Sequence, residues 1–252
     1  MATEPIPASS SVPEPQAAIS PFGRVFGVLF SPKPTFEDIA RKPSWILPVI
    51  LMTVLSILAV VVLNQRMNWR EYISQKIEKD SRASQLSADQ KERQVDISSK
   101  ITVYIVYAAG VLGPILSAVI LGAIMMGAYN LFAGAGASYS QSLAIAAHSS
   151  LVGLISTPIF LLVLLLRPPG TIDPENPVVT NVAALLPEDS AKWLLALCKS
   201  LDIFTIWTLI LIAIGFAAVN PRKLKGAKSF AIVFGVWGVY VVVRTLWAFI
   251  FS

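Results

Sequence analysis

The residues of this chain whose side chains carry chemistry in an apolar setting are His148, Asp202, Arg244, Lys199 and Cys198. Each lies in or beside a long run of uncharged residues. Hydrocarbon solvates an ion poorly, so such a group must pair, snorkel to the surface or serve a function. His148 sits about five residues into the run from Leu143 to Leu166 and is followed by Ser149 and Ser150. Its functional reading is a proton- or substrate-responsive group. Its structural reading is a helix–helix hydrogen bond near the cytoplasmic edge. A proton relay needs a nearby carboxylate, and the apolar blocks supply Asp202, which sits by the opposite face. The structural reading is the better of the two.

Asp202 and Arg244 make a more suggestive pair. Asp202 opens the fourth run near its outer end, and Arg244 lies six residues before Ile250. By helical rise that is roughly 9 Å inward. Adjacent antiparallel helices bring the two together, which predicts an ion pair fixing the helices; an ion or substrate pathway is the alternative. Lys199, three residues from Asp202, competes for the carboxylate. Adjacent His148 and Ser149 point in different directions on a helix, which defeats a Ser–His nucleophile. The sequence has no Gly-rich phosphate loop, metal-ligand cluster, triad or carboxylate pair, and one histidine cannot build a multi-histidine site. No enzymatic activity and no cofactor or metal are expected. The lone Cys198 excludes an intrachain disulfide.

The elements that position these residues are read from the apolar blocks. The 252 residues are 55% hydrophobic and 14% charged, against about 25% charged in a soluble domain. Mean hydropathy is +0.67. Hydrocarbon cannot satisfy a peptide N–H or C=O, so a run such as Trp45 to Leu63 reads as a transmembrane helix. The fold class is all-α and polytopic, with five spans over about 45–63, 101–130, 143–166, 201–219 and 230–251. The second block, Ile101 to Phe132, would extend roughly 48 Å as one helix and is expected to tilt, with a bend at Gly113-Pro114. Pro158 is expected to interrupt the third span. Glu188 to Val219 reads as one extended helix, and Val178 to Leu186 as a short apolar helix on the surface.

Residues 1–20 read as a disordered tail without a signal-peptide core, residues 21–44 as a cytoplasmic interfacial segment, and 45–252 as the five-helix domain. Phe22, Phe26, Leu29 and Phe30 form a helical stripe with Arg24 off it. That segment either lies in the bilayer surface or packs on the bundle. Thr35 is read as the N-cap of a second short helix reaching Arg41. Asn64 to Lys100 reads as water-exposed helix. Small residues, Gly110, Gly113, Gly122 and Gly127 among them, permit close helix contacts.

The net charge is +5, and its basic residues flank apolar segments, which points to lipid head groups rather than nucleic acid. The unopposed basic connection Arg222 to Lys228 belongs inside by the positive-inside rule. Counting back places the N-terminus in the cytoplasm and the C-terminus outside. Arg66 to Lys100, with eight basic residues, then lies outside against that rule.

Three stretches together resemble the Yip1 domain of bacterial membrane proteins. The first is Arg24-Val25 through Pro34-Thr35-Phe36-Glu37-Asp38-Ile39-Ala40 to Pro43-Ser44-Trp45. The second is Asn130-Leu131-Phe132-Ala133-Gly134, with Ser140-Gln141-Ser142-Leu143 and Ala146-Ala147-His148-Ser149-Ser150. The third is Leu201-Asp202-Ile203-Phe204-Thr205-Ile206-Trp207, leading to Gly215. The resemblance implies a helical integral membrane protein with a cytoplasmic N-terminus, and Asp202, Phe204 and Trp207 as packing or partner-recognition residues. Eukaryotic relatives are linked to vesicle traffic and Rab-type GTPases. Their Asp-Leu-Tyr-Gly-Pro motif has no clear counterpart before the first span here, which counts against carrying that role over. The expected function is a non-enzymatic protein of the bacterial inner membrane that organises or binds other membrane components. Lipids, other membrane proteins or further copies of the chain are its expected partners. The alternative is a small transporter or permease subunit with a polar site near Asp202 and Arg244.

Overall fold

The computed structural model describes residues 18–78, 85–168, 180–187, 190–225 and 227–251. The expected disordered tail falls outside them except for its last three residues, and so does most of the polar loop after the third span. Two short helices come first, α1 (Pro21–Phe30) and α2 (Pro32–Arg41). Ser20 caps α1 by accepting from the Gly23 N–H at 3.1 Å. The second helix starts three residues before the expected Thr35 cap, because Pro32 and Pro34 occupy its first turn, where their missing N–H groups have no intrahelical partner to lose. The Thr35 hydroxyl donates to the Ser31 carbonyl at 2.8 Å.

Next come α3 (Ile46–Arg66) and α4 (Trp69–Glu78), then α5 (Ala88–Ala133), a single helix of 46 residues. At 1.5 Å per residue α5 is roughly 69 Å long, more than twice the ~30 Å hydrocarbon layer. Ser87 and Gln90 start it with a reciprocal capping box. It stays helical through Pro114, and Ser117 hydroxyl bonds the Gly113 carbonyl nearby. Gly134, in the left-handed region at φ 55°, ends it, and its N–H closes on the Asn130 carbonyl. The polar part of α5 packs with α4 into a stalk beyond the apolar region.

A second capping box, Ser138 with Gln141, starts α6 (Tyr139–Ser149). The chain then passes through a 3-10 turn at Ser150–Val152 into α7 (Gly153–Leu166). The interruption of this span therefore falls at Ser150, not at Pro158, which lies inside α7. The Ser150 hydroxyl takes the Ala147 carbonyl at 2.8 Å, where the helix tightens. Arg66, at the end of α3, donates to the carbonyls of Leu164 at 3.0 Å and Leu165 at 2.5 Å, closing the C-terminus of α7.

The expected continuous helix over Glu188 to Val219 is broken in two, α8 (Lys192–Ser200) and α9 (Ile203–Val219). Leu201 and Asp202 leave the helix at an isolated antiparallel bridge between Asn181 and Asp202: Val182 N–H reaches Leu201 O and Ile203 N–H reaches Thr180 O, both at 3.3 Å. Within the expected surface helix at 178–186, the described part holds only a 3-10 turn, Val182–Leu185. The last helix is α10 (Ala227–Ile250).

Among the described residues, four segments are long and apolar enough to cross a membrane, namely α3, α5, α6–α7 and α10. With 17 residues, α9 stands at the short limit of a spanning helix, about 17 residues. One side of it is enclosed, with Leu211, Ile212, Ala213 and Phe216 at most 1% exposed. Helices α2, α6 and α10 pack around it. The protein is thus an all-α membrane protein, with Val54, Ile105, Val242 and similar residues facing outward.

Candidate functional site

Helices run alternately between two ends. At the stalk end lie α4, α8, the start of α9 and the end of α10. At the loop end lie α1, α2, the α5–α6 turn and the α9–α10 turn. Each end holds a polar arrangement.

At the stalk end, the expected Asp202–Arg244 ion pair does not form. Asp202 instead caps α9, accepting from the Thr205 N–H at 2.9 Å and its hydroxyl at 3.2 Å, and from the Thr180 hydroxyl. A carboxylate at the first turn of a helix satisfies an orphan N–H and meets the positive end of the dipole, and this local bond wins over a distant cation. Arg244 donates to the Ser200 hydroxyl at 3.3 Å. Lys199 makes no ion pair with Asp202 among the described residues. Trp207 packs half-buried against the main core. The structure thus brings Arg244 to the α8–α9 break without joining it to Asp202.

His148 is buried in α6, and its Nδ1 bonds the Ala144 carbonyl of its own helix at 2.8 Å. The expected helix–helix hydrogen bond is replaced by this contact one turn back, the acceptor nearest to a helical side chain. The neighbouring Ser149 hydroxyl is buried without a partner.

Sequence reasoning missed the most engaged charge pair of the described chain. Arg24 of α1 meets Asp38 of α2, Nη2 to Oδ2 at 2.7 Å and Nε to Oδ2 at 2.8 Å, with side chains only 5% and 8% exposed. Arg24 Nη1 also donates to the Lys42 carbonyl at 2.9 Å and to the Ser44 hydroxyl at 2.8 Å. A desolvated ion pair is tolerable only when such further bonds satisfy its remaining donors. The signal was present: Arg24 is the one charge in α1 and lies opposite the phenylalanine stripe, on the side that must face protein.

Hydrogen bonds tie the loop end together. Gln141 Nε2 donates to Ala40 O at 2.8 Å, Asn130 and Ala137 bond each other twice, and Asn220 Nδ2 donates to Ala135 O at 3.0 Å. Beneath them Tyr129 stacks on Phe216 at 4.1 Å and donates to the Ser229 carbonyl at 2.7 Å. An open cleft of about 500 Å³ lies in the stalk between α4 and α5, lined by Arg70, Glu71, Glu78, Lys91 and Glu92. None of the residues singled out in the sequence lines it. No cluster of metal-ligating side chains occurs among the described residues.

The family model of the Yip1 domain matches residues 26–248. The chain belongs to the Yip1 domain family. It is also similar to "Membrane protein YknW" of Bacillus subtilis (strain 168), 26% identical over 219 residues, covering 86% of this chain and 87% of that one. No solved structure matches significantly. The Yip1 match begins at Phe26 within α1 and ends at Ala248 near the end of α10, so it takes in Asp38 and leaves Arg24 just outside.

Proposed function

We propose that this Yip1 domain protein is a non-enzymatic, multi-pass protein of the bacterial inner membrane that holds other membrane components in place. The stalk is the contact surface: α5 continues far past the lipid and α4 packs along it, leaving an open polar cleft. The observation that carries this reading over transport is the fate of Asp202. A carboxylate committed to capping α9 is not free to bind and release an ion. The loop end faces the cytoplasm in this reading, since its basic turns obey the positive-inside rule.

Transport is the second reading, favoured by the break at Ser150–Val152 and the unpartnered Ser149 hydroxyl beside it. One experiment separates the two. A photo-crosslinking residue at Arg93, on the exposed stalk, should capture discrete partners in native membranes. Purified protein in liposomes should show no flux that Asp202→Ala or Arg244→Ala abolishes. Flux lost in those variants while the helical spectrum is kept would favour transport instead.

A further inference from the structure

Phe22, Phe26 and Phe30 stand four residues apart on one outward stripe of α1, 66%, 63% and 76% exposed. The opposite side of the helix buries Arg24, Val25 and Val28. Ten residues, roughly 15 Å of helix, cannot cross a bilayer. Arg24 fixes the depth of the stripe, because its guanidinium holds Lys42 O and Ser44 Oγ, just before α3 starts at Ile46. The helix is therefore tied to the level at which the chain enters hydrocarbon.

Exposed charge on the same end is positive. Lys33, Arg41 and Lys42 are exposed beside α1, and the α9–α10 turn adds Arg222, Lys225 and Lys228. None of the six forms an ion pair among the described residues. Of the two acids there, Asp38 is taken by Arg24 and Glu37 is half-buried. The bonds from Gln141 to Ala40 and from Asn220 to Ala135 hold both basic segments at this one end.

We propose that α1, α2 and the α9–α10 turn form a docking surface for an anionic phospholipid leaflet. The three phenylalanines insert at the boundary of head groups and acyl chains, and the unpaired cations meet the phosphates. This inference needs only that the protein sits in a membrane, and it stands or falls separately from the partner-holding role of the stalk.

Two measurements test it. In full-length protein carrying Cys198→Ala and Phe26→Cys, a nitroxide label is read in vesicles of phosphatidylcholine with phosphatidylglycerol. Oxygen should relax the label strongly and a water-soluble nickel chelate weakly. The reverse ranking overturns the proposal. So does spin–spin broadening that vanishes on dilution with unlabelled protein, since a second copy would then cover the stripe. Phe22→Cys on the same stripe serves if Phe26→Cys does not fold. Native mass spectrometry of the protein with both lipids should show phosphatidylglycerol retained in preference. Each of Lys33→Gln, Arg41→Gln and Lys42→Gln should weaken that retention about fivefold, equivalent to ~1 kcal/mol per basic residue near a charged leaflet. Equal retention of both lipids, or displacement by inorganic phosphate alone, overturns it.

Discussion

At the residue scale, Arg24 and Asp38 form a pair whose energetics are asymmetric. Removing one partner leaves the other desolvated, at a cost of about 3–5 kcal/mol, whereas replacing both with apolar residues of similar volume is often close to neutral. Arg24→Ala and Asp38→Ala should each lower the thermal unfolding midpoint in detergent sharply, and Arg24→Leu with Asp38→Leu should recover most of the loss. A double variant as unstable as the single ones would mean that the bonds to Lys42 and Ser44 matter more than the ion pair. Asp202 illustrates the opposite lesson. Its charge at the start of the fourth apolar run was legible, but the helix break there and its choice of partner were not. A cap is settled by backbone geometry within three residues, and that contact was closer than any cation on α10.

Among the elements, the small residues divide into two groups that composition does not distinguish. A Cβ added at Gly122 would lie 3.0 Å from Leu143 Cα and 3.1 Å from its nitrogen, so α5 and α6 touch there backbone to backbone. At Gly113 and Gly127 a Cβ meets nothing within 4 Å. Gly122→Val should therefore force the helices apart and destabilise the protein by about 1–3 kcal/mol, the usual range for overpacking. Gly113→Ala and Gly127→Ala should be neutral or stabilising, since alanine favours a helix by about 1 kcal/mol over glycine. Detergent melting curves of the three variants check the contrast, and equal losses at all three sites would refute it. The breaks in the helices were likewise only half legible. Pro158 was the obvious breaker of the third span, yet α7 runs through it and the kink lies at Ser150–Val152. Proline removes one hydrogen bond, and a transmembrane helix tolerates that loss where local adjustment or neighbouring groups satisfy the freed carbonyl.

For the whole molecule, the two basic regions differ in how their side chains are engaged. The basic residues of 66–100 oppose a simple positive-inside count, but several are occupied: Arg66 closes α7, and Arg70 pairs with Glu92 and Asp96. At the loop end Lys33, Arg41, Lys42, Arg222, Lys225 and Lys228 form no ion pair among the described residues, and they should set the orientation. With Cys198→Ala as background, an impermeant maleimide should label Lys225→Cys from the cytoplasmic side only and Arg93→Cys from the other side only. Labelling of both from one side would refute five crossings with α9 among them.

The order of apolar blocks and polar connections was enough to determine that this is a helical membrane protein, because peptide groups in hydrocarbon have no partner other than their own helix. Among the described residues, the four helices long and apolar enough to cross a membrane lie over the first, second, third and fifth of the apolar runs. Tertiary structure alone decided which polar residues meet: Arg24 with Asp38 across a proline turn, Asp202 with its own helix end, His148 with Ala144. A side chain buried among helices takes the nearest acceptor that the packing presents, and that distance is a property of the assembled bundle, not of spacing along the chain.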